Sequence, residues 1–393
     1  MVKSAIYKTF RELGGFIPQL RKKIIINRFS DPNAHVFFGY YDITPFSHND
    51  KKILACKVPI NNLVANIVME LGYYNLDETS PHFVKFGETK SWCWQMGPRL
   101  RWLNKKNQCV AYNVVKNGKY ICKVSNTDSG SIVTEYPLPF YDIDKNEHYG
   151  VSINFSRLQR LRPGYGYKNL KDNTEGVDAP TNDGIILYDF IREKQKMLIS
   201  LSEIQQVEPN DTMLKAEHYF NHISFSPFSN KFIFFHLWTK KKKRYSRLFI
   251  FNITKMDFKL LSSNIVSHYV WKSEFEILIT EIYNNKLRYI LYNINDNKSQ
   301  IIGSDILDED GHPSFINNNL IITDTYPNLI GFQTLKCYDI SKRKSKNIIS
   351  LYSPPKYTGE KKCDLHPRLS RNNKLICVDF VNNNKRLMGL VQL

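Results

Sequence analysis

The chain is short of the signatures that announce nucleotide-driven or hydrolytic chemistry. It has no G-x-x-x-x-G-K-[ST] phosphate loop and no G-x-G-x-x-G opening a helix after a strand. It also lacks a G-x-S-x-G nucleophile elbow and an H-E-x-x-H zinc pair. These absences leave nucleotide-dependent transfer, serine hydrolysis and zincin-type proteolysis without sequence support. No zinc finger, RRM aromatic motif or helix-turn-helix pattern is present, so no nucleic-acid partner is expected. No apolar run reaches the roughly 18 residues that a membrane span needs. The opening MVKSAIYKTFRELGGFIPQLRKK has no long apolar region and no small-residue cleavage site, unlike a secretory signal. The seven cysteines are odd in number and irregularly spaced, and most fall in apolar strand patterns. That usage predicts buried thiols in a reducing compartment, hence a cytoplasmic protein.

Acidic residues are also scarce: 37 Asp+Glu stand against 55 Lys+Arg, a formal charge of +18. The excess favours an anionic partner. Part of it lies in predicted turns, such as residues 240–243 and 342–346, where a lysine run reads as a solvated loop.

What the chain has in abundance is aromatic strand. Twenty-three Tyr and 24 Phe suit stacked sheets whose interfaces are filled by large flat side chains. Residues 217–238, EHYFNHISFSPFSNKFIFFHLW, read as two strands around a Ser-Pro-Phe-Ser-Asn turn. The same layout returns at SHYVW, GHPSFINNNLIITD and LHPRLSRNNKLICVDF. The histidines His222, His268, His312 and His366 are then separated by 46, 44 and 54 residues. A repeat of roughly 40–50 residues marks a β-propeller of four-stranded blades. The expected fold is all-β, a seven-bladed β-propeller over residues 23–393 preceded by a short helical segment, residues 1–22. Blades are expected to begin near His35, Trp92, Tyr141 and the four repeat histidines. Residues 24–28 should close the last blade and remove an exposed sheet edge. Ile6, Phe10 and Leu13 share one face of the N-terminal helix, which is expected to cap one end of the ring.

If each repeat histidine opens the innermost strand of its blade, the four converge on one mouth of the central channel. His268, His312 and His366 are the candidate metal ligands, for Zn or Mn, with Asp310 and Cys363 (and the adjoining Asp364) as co-ligands. The run from Arg157 to Tyr167 is the second concentration of chemistry. Guanidinium groups grip carboxylates bidentately, and tyrosine can stack on a sugar or pass a proton. His222, Tyr165 and Arg162 are the candidate catalytic residues. His35, Tyr41, Gln95, Arg99, Arg160 and Tyr167 are the candidate substrate contacts.

The pieces FGYYDITPF, WCWQMGPRLRWL, LRPGYGY, HYFNHISFSP, GHPSF with TDTYP, and CDLHPRLS with ICVDF resemble, in their order, a motif series. That series is found in bacterial seven-bladed propellers related to the oligogalacturonate and ulvan lyase types of polysaccharide lyase. The resemblance spans about residues 35–380 and implies β-elimination on a uronic acid. It assigns the base to the position of His222 and metal ligands to His268 and His312. Where oligogalacturonate lyases carry His-Pro-His-Pro, this chain has Asp310-Gly311-His312-Pro313, so Asp310 or a residue of the last blade would supply the missing ligand. A tyrosine such as Tyr165 is the alternative base. The second functional expectation is a non-catalytic propeller that binds glycan or protein in surface-polysaccharide assembly. In either case the protein is expected to be a monomer acting on an acidic oligo- or polysaccharide.

Overall fold

A computed structural model describes residues 2–15, 25–60, 67–105, 108–296 and 298–393. Local chemistry sets the strands. β-branched and aromatic residues fill them, and two-residue turns with left-handed backbone join several of the middle pairs. Asn284-Asn285 (φ +48°, +59°) and Asn383-Asn384 (φ +47°, +60°) are such turns. Their twist matches that of the flanking strands, and asparagine tolerates the conformation. Cross-strand aromatic pairs then lock register: Phe232 stacks on Phe251 at 5.2 Å and Phe234 on Phe249 at 5.3 Å.

These strands form seven four-stranded antiparallel sheets, the blades of a propeller. The innermost strands are Ala34–Phe37, Arg101–Trp102, Asp142–Ile143, His218–Phe225, Val266–Trp271, Ser314–Phe315 and Arg368–Leu369. They define blades one to seven. The expected blade starts agree with this order. Blade seven is completed by the N-terminal strand Ile25–Phe29, which pairs antiparallel with Lys385–Gln392, Phe29 opposite Met388. The expected closing segment is therefore found, apart from residue 24, which lies outside the described residues. The boundary expected near residue 22 also lies outside them. Trp92 and Trp94, 5.1 Å apart, and Trp102 pack in the apolar core around blades one and two.

The N-terminal helix Val2–Gly14 meets blade six through Arg11 and Gly14. Arg11 donates to the Ser353 carbonyl at 2.7 Å, and the Arg11 carbonyl accepts from Tyr352 Oη. Phe10 and Leu13 face outward, 48% and 55% exposed. The side chain of Ile6 lies outside the described residues. Within the arginine-rich run, residues Phe155–Leu161 form a helix between the second and third strands of blade three, N-capped by Asn154. Among the described residues no helix is long and apolar enough to cross a membrane.

Candidate functional site

In a propeller blade the innermost strand starts at the same end as the turn joining its second and third strands. The repeat histidines, the helix Phe155–Leu161, the 354–363 connection and Tyr326 are all gathered at this end. The four histidine rings form a chain around the channel. Centroid separations are 6.5 Å from His222 to His268, 4.2 Å from His268 to His312 and 4.3 Å from His312 to His366. All four are at most 3% exposed. They do not open their strands uniformly. His312 and His366 precede theirs, whereas His222 sits mid-strand at a β-bulge with φ +52°. There its N–H donates to Tyr141 Oη at 3.0 Å. The bulge re-aims one side chain into the channel.

Carboxylates behind the rings set their orientation. Asp324 lies 2.8 and 3.0 Å from His312 Nδ1 and also accepts the backbone N–H groups of His312 and His366, at 2.8 and 3.0 Å. A proton on Nδ1 is therefore fixed, and the Nε2 lone pair is left for a ligand. Asp310 does the same for His268, 2.9 Å from Nδ1. His312 Nε2 and His366 Nε2 are buried without a hydrogen-bond partner. With the Asp364 carboxylate they form a group whose ligand atoms lie within 4.8 Å of one another. Two imidazoles and a carboxylate with orphaned, inward nitrogens are a donor set that fits a divalent cation.

Tyr40 stands inside the histidine chain. Its ring stacks on His222 at 5.2 Å and meets His366 edge-on at 4.9 Å, and its buried hydroxyl has no partner. The preceding Gly39 (φ +142°) allows the chain to turn there; a Cβ would lie 2.9 Å from the Met96 carbonyl carbon.

Cations surround this core. The Arg162 guanidinium lies 4.3 Å over the Tyr165 ring. Lys362 pairs with Asp364 at 2.7 Å and sits 4.6 Å over the Tyr326 ring. Burial alone would raise the Tyr165 pKa, but Lys362 and Arg162 outweigh it and hold the phenol below its usual value. Burial, then the charges of Arg162, His268 and Arg244, push His222 well below the ordinary imidazole range, so it is neutral. Both its ring nitrogens lack partners. Asp364 is held low against burial by Lys362 and His312.

The remaining residues singled out from sequence are placed otherwise. Tyr41 Oη is tied to the backbone of Tyr269, donating at 2.7 Å and accepting at 2.9 Å. Arg99 is saturated by Asp42 at 2.9 and 3.1 Å and by the Tyr141 carbonyl at 2.7 Å. Arg160 is neutralised by Asp172 and Glu217. Tyr167 stacks on Phe155 at 4.4 Å and accepts from Asn113. His35 packs between Trp94 and Tyr357, and burial with Arg386 lowers its pKa to about 4. Gln95 donates to the carbonyls of Glu360 and Lys362, so it positions the segment carrying Lys362. Cys363 faces Tyr357 and Val381 instead of the histidines, and burial raises its thiol to about 12. Asp310 orients His268 from behind, with its oxygens taken by Ser267, Thr280 and His268. These residues build or brace the mouth, and most of their polar atoms are already used; Gln95 Oε1 is buried without a partner. The geometry adds Lys362, Arg244 and Tyr326, the last of which lies in the TDTYP piece, and it places Asp364, the neighbour of His366 in sequence, among the candidate ligand atoms.

No family model matches the chain, and no curated protein matches it in sequence. Solved structures do. The chain is similar to an oligogalacturonate lyase in complex with manganese, with a TM-score of 0.66, 11% identity, and coverage of 93% of this chain and 92% of that one. It is likewise similar to an oligogalacturonate lyase from Vibrio parahaemolyticus, with a TM-score of 0.64, 11% identity and the same coverages of 93% and 92%. The tricorn protease matches at 0.51 and 9% identity over 89% of this chain but only 33% of its own. At these identities the likeness establishes the propeller fold.

Proposed function

We propose that the protein is a metal-containing lyase that cleaves a uronate-containing oligo- or polysaccharide by β-elimination. The observation that carries this reading is a neutral, unpartnered His222 sharing one channel mouth with a guanidinium that has no carboxylate partner and the His312–Asp364–His366 group. Proton abstraction next to a carboxylate needs the carboxylate charge offset, because the developing carbanion would otherwise sit beside a full anion. Arg162, which has no carboxylate partner, binds and neutralises the uronate. A divalent cation held by His312, Asp364 and His366, with His268 adjoining, would supply further positive charge to that carboxylate. His222 takes the C5 proton on a ring nitrogen. As the C5–H electron pair forms the C4=C5 bond, the C4–O4 bond breaks, and Tyr165 Oη gives its proton to the departing O4. A phenol whose pKa is lowered by neighbouring cations donates more readily. Return of the proton from His222 to Tyr165 restores the starting state.

The test is the ultraviolet absorbance of the unsaturated uronide product, followed across a panel of uronate oligosaccharides with and without chelator. A rise that disappears in His222→Ala and with chelator supports the reading. A flat trace across the panel, with binding retained, would leave a glycan-binding propeller instead.

A further inference from the structure

We propose that the basic hairpin of blade four, residues 240–244, is a binding surface for the same anionic chain beyond the histidines, and that the substrate is a polyuronate long enough to span both. This rests on the uronate reading of the mouth, and extends it from one sugar to a polymer.

The hairpin belongs to the right end of the ring. The innermost strand of blade four starts at His218, opposite Trp238, and the second strand, Lys231–Lys240, ends two residues further on. The third strand, Lys243–Asn252, returns beside it, and at ten residues each the two carry the tip outward from the mouth. From Leu237, which pairs with Tyr219, to Lys241 is roughly 13 Å of strand at about 3.3 Å per residue. Arg244 opens the return strand opposite Thr239, between the tip and the level of Tyr219, and the charge of nearby Arg162 lowers its pKa. The cations of the tip are thus continuous with that side of the mouth.

Two features mark this run. First, five consecutive cations stand together with no carboxylate among them. Lys116 pairs with Glu135, Lys168 with Glu360 and Lys336 with Glu309, and at the other end of the same blade Lys231 pairs with Glu274. Among the described residues, Lys241, Lys242, Lys243 and Arg244 have no carboxylate partner, and Lys240 reaches only the Leu214 carbonyl. Second, the turn uses the wrong residues for its shape. The equivalent turns of blades two, five and seven are Asn117-Gly118, Asn284-Asn285 and Asn383-Asn384, residue types that accept a left-handed backbone. Blade four places Lys241 (φ +49°) and Lys242 (φ +64°) there. Long side chains are disfavoured in that conformation, so turn geometry does not explain the lysines and charge does.

The favoured polyanion is a polysaccharide with a charge on each ring. The aromatic rings under the hairpin are not open platforms: Tyr245 stacks on Trp238 at 5.6 Å, and Lys243 covers its ring at 5.0 Å. Single-stranded nucleic acid would need exposed rings for its bases.

The experiment converts the tip to the sequence that other blades use. Lys241→Asn with Lys242→Asn restores a favoured turn, so the variant should fold; Lys240→Ser and Lys243→Ser complete it. Binding of long polygalacturonate, digalacturonate and single-stranded DNA is measured by calorimetry at two salt concentrations. The expected result is about a tenfold loss of affinity for the long chain, with a shallower salt dependence, and no change for the dimer. Unchanged binding of the long chain, a parallel loss for the dimer, no binding of any uronate by the wild type, or tighter wild-type binding of DNA than of polygalacturonate would each overturn the proposal. Because the readout is binding, absence of lyase activity would sink the catalytic reading and leave this one standing.

Discussion

Asp324→Ala tests whether one carboxylate both holds the mouth together and prepares a candidate metal ligand. Asp324 is 1% exposed and accepts from three buried donors: the His312 N–H, His312 Nδ1 and the His366 N–H. Removing it leaves all three without a partner. At roughly 1–3 kcal/mol for each orphaned buried group, the loss is about 5 kcal/mol. For a chain of 393 residues the unfolding entropy is about 0.8 kcal/mol per kelvin. The melting temperature should therefore fall by about 6 °C in differential scanning calorimetry. Asp324→Asn keeps one acceptor oxygen but turns an N–H toward a donor, so it should recover only about half of the loss. Both variants also free His312 from its fixed tautomer. Zinc affinity by titration calorimetry should drop about 10–100-fold, the usual effect of losing the group behind a ligating histidine. A shift below about 1 °C in Asp324→Ala, or undiminished zinc affinity in both variants, would refute the reasoning.

A second prediction concerns acid. His218 Nδ1 and His236 Nε2 are 2.8 Å apart, Arg247 faces His236 Nδ1 at 3.1 Å, and His218 Nε2 donates to the Met213 carbonyl at 3.1 Å, so both rings are neutral. Burial, with Arg247 and Arg157 nearby, lowers the His218 pKa from 6.5 to about 4. The unfolded chain thus takes up the proton first, and stability falls as pH drops from about 6.5 to about 4. The share from His218 alone is about 3 kcal/mol, read from urea unfolding midpoints across that range; no change in midpoint would refute it. A third prediction is that Lys362→Met raises the Tyr165 titration, since Lys362 is the larger of the two cationic influences holding it down. Ultraviolet difference titration of tyrosinate, with Tyr165→Phe as the reference, measures the shift. An unmoved titration would mean that Arg162 alone sets it.

The ring was legible because its repeat is carried by strand and turn chemistry that every blade states for itself. Four histidines at similar intervals in EHYFNHISF, SHYVW, GHPSF and LHPRLS were enough to bring them to one mouth. The closing strand could be read for the same reason: the last blade ran out of chain. What could not be read was pairing across the fold. Arg99 meets Asp42 from 57 residues away and Arg160 meets Glu217 at the same separation, and only the closed ring brings them together. An arginine spent on such a pair looks the same in sequence as Arg162, which is free of one. The helix Phe155–Leu161 was missed because two turns between a strand and Pro163-Gly164 give too short a period to detect. Lys362 and Arg244 were passed over because a lone cation in a connection, or at the end of a lysine run, is usually solvated.

The division between spent and unspent polar groups bears on function more directly than the fold does. Inside this propeller a buried guanidinium normally has its partners: Arg157 donates to four backbone carbonyls, and Arg368 is held by Asp379 and the Gly39 carbonyl. Leaving a buried donor or acceptor empty costs about 1–3 kcal/mol. Yet His222 leaves both ring nitrogens empty, His312 and His366 leave Nε2 empty, and Tyr40 leaves its hydroxyl empty, each of the three histidines in ring contact with Tyr40 at one mouth. A sheet interface made only for stability would fill those positions with leucine or phenylalanine at no such cost. Blades four, six and seven each contribute a histidine with an empty nitrogen, so the cost recurs around the ring. It is offset only when something that accepts imidazole lone pairs and phenolic protons occupies the channel.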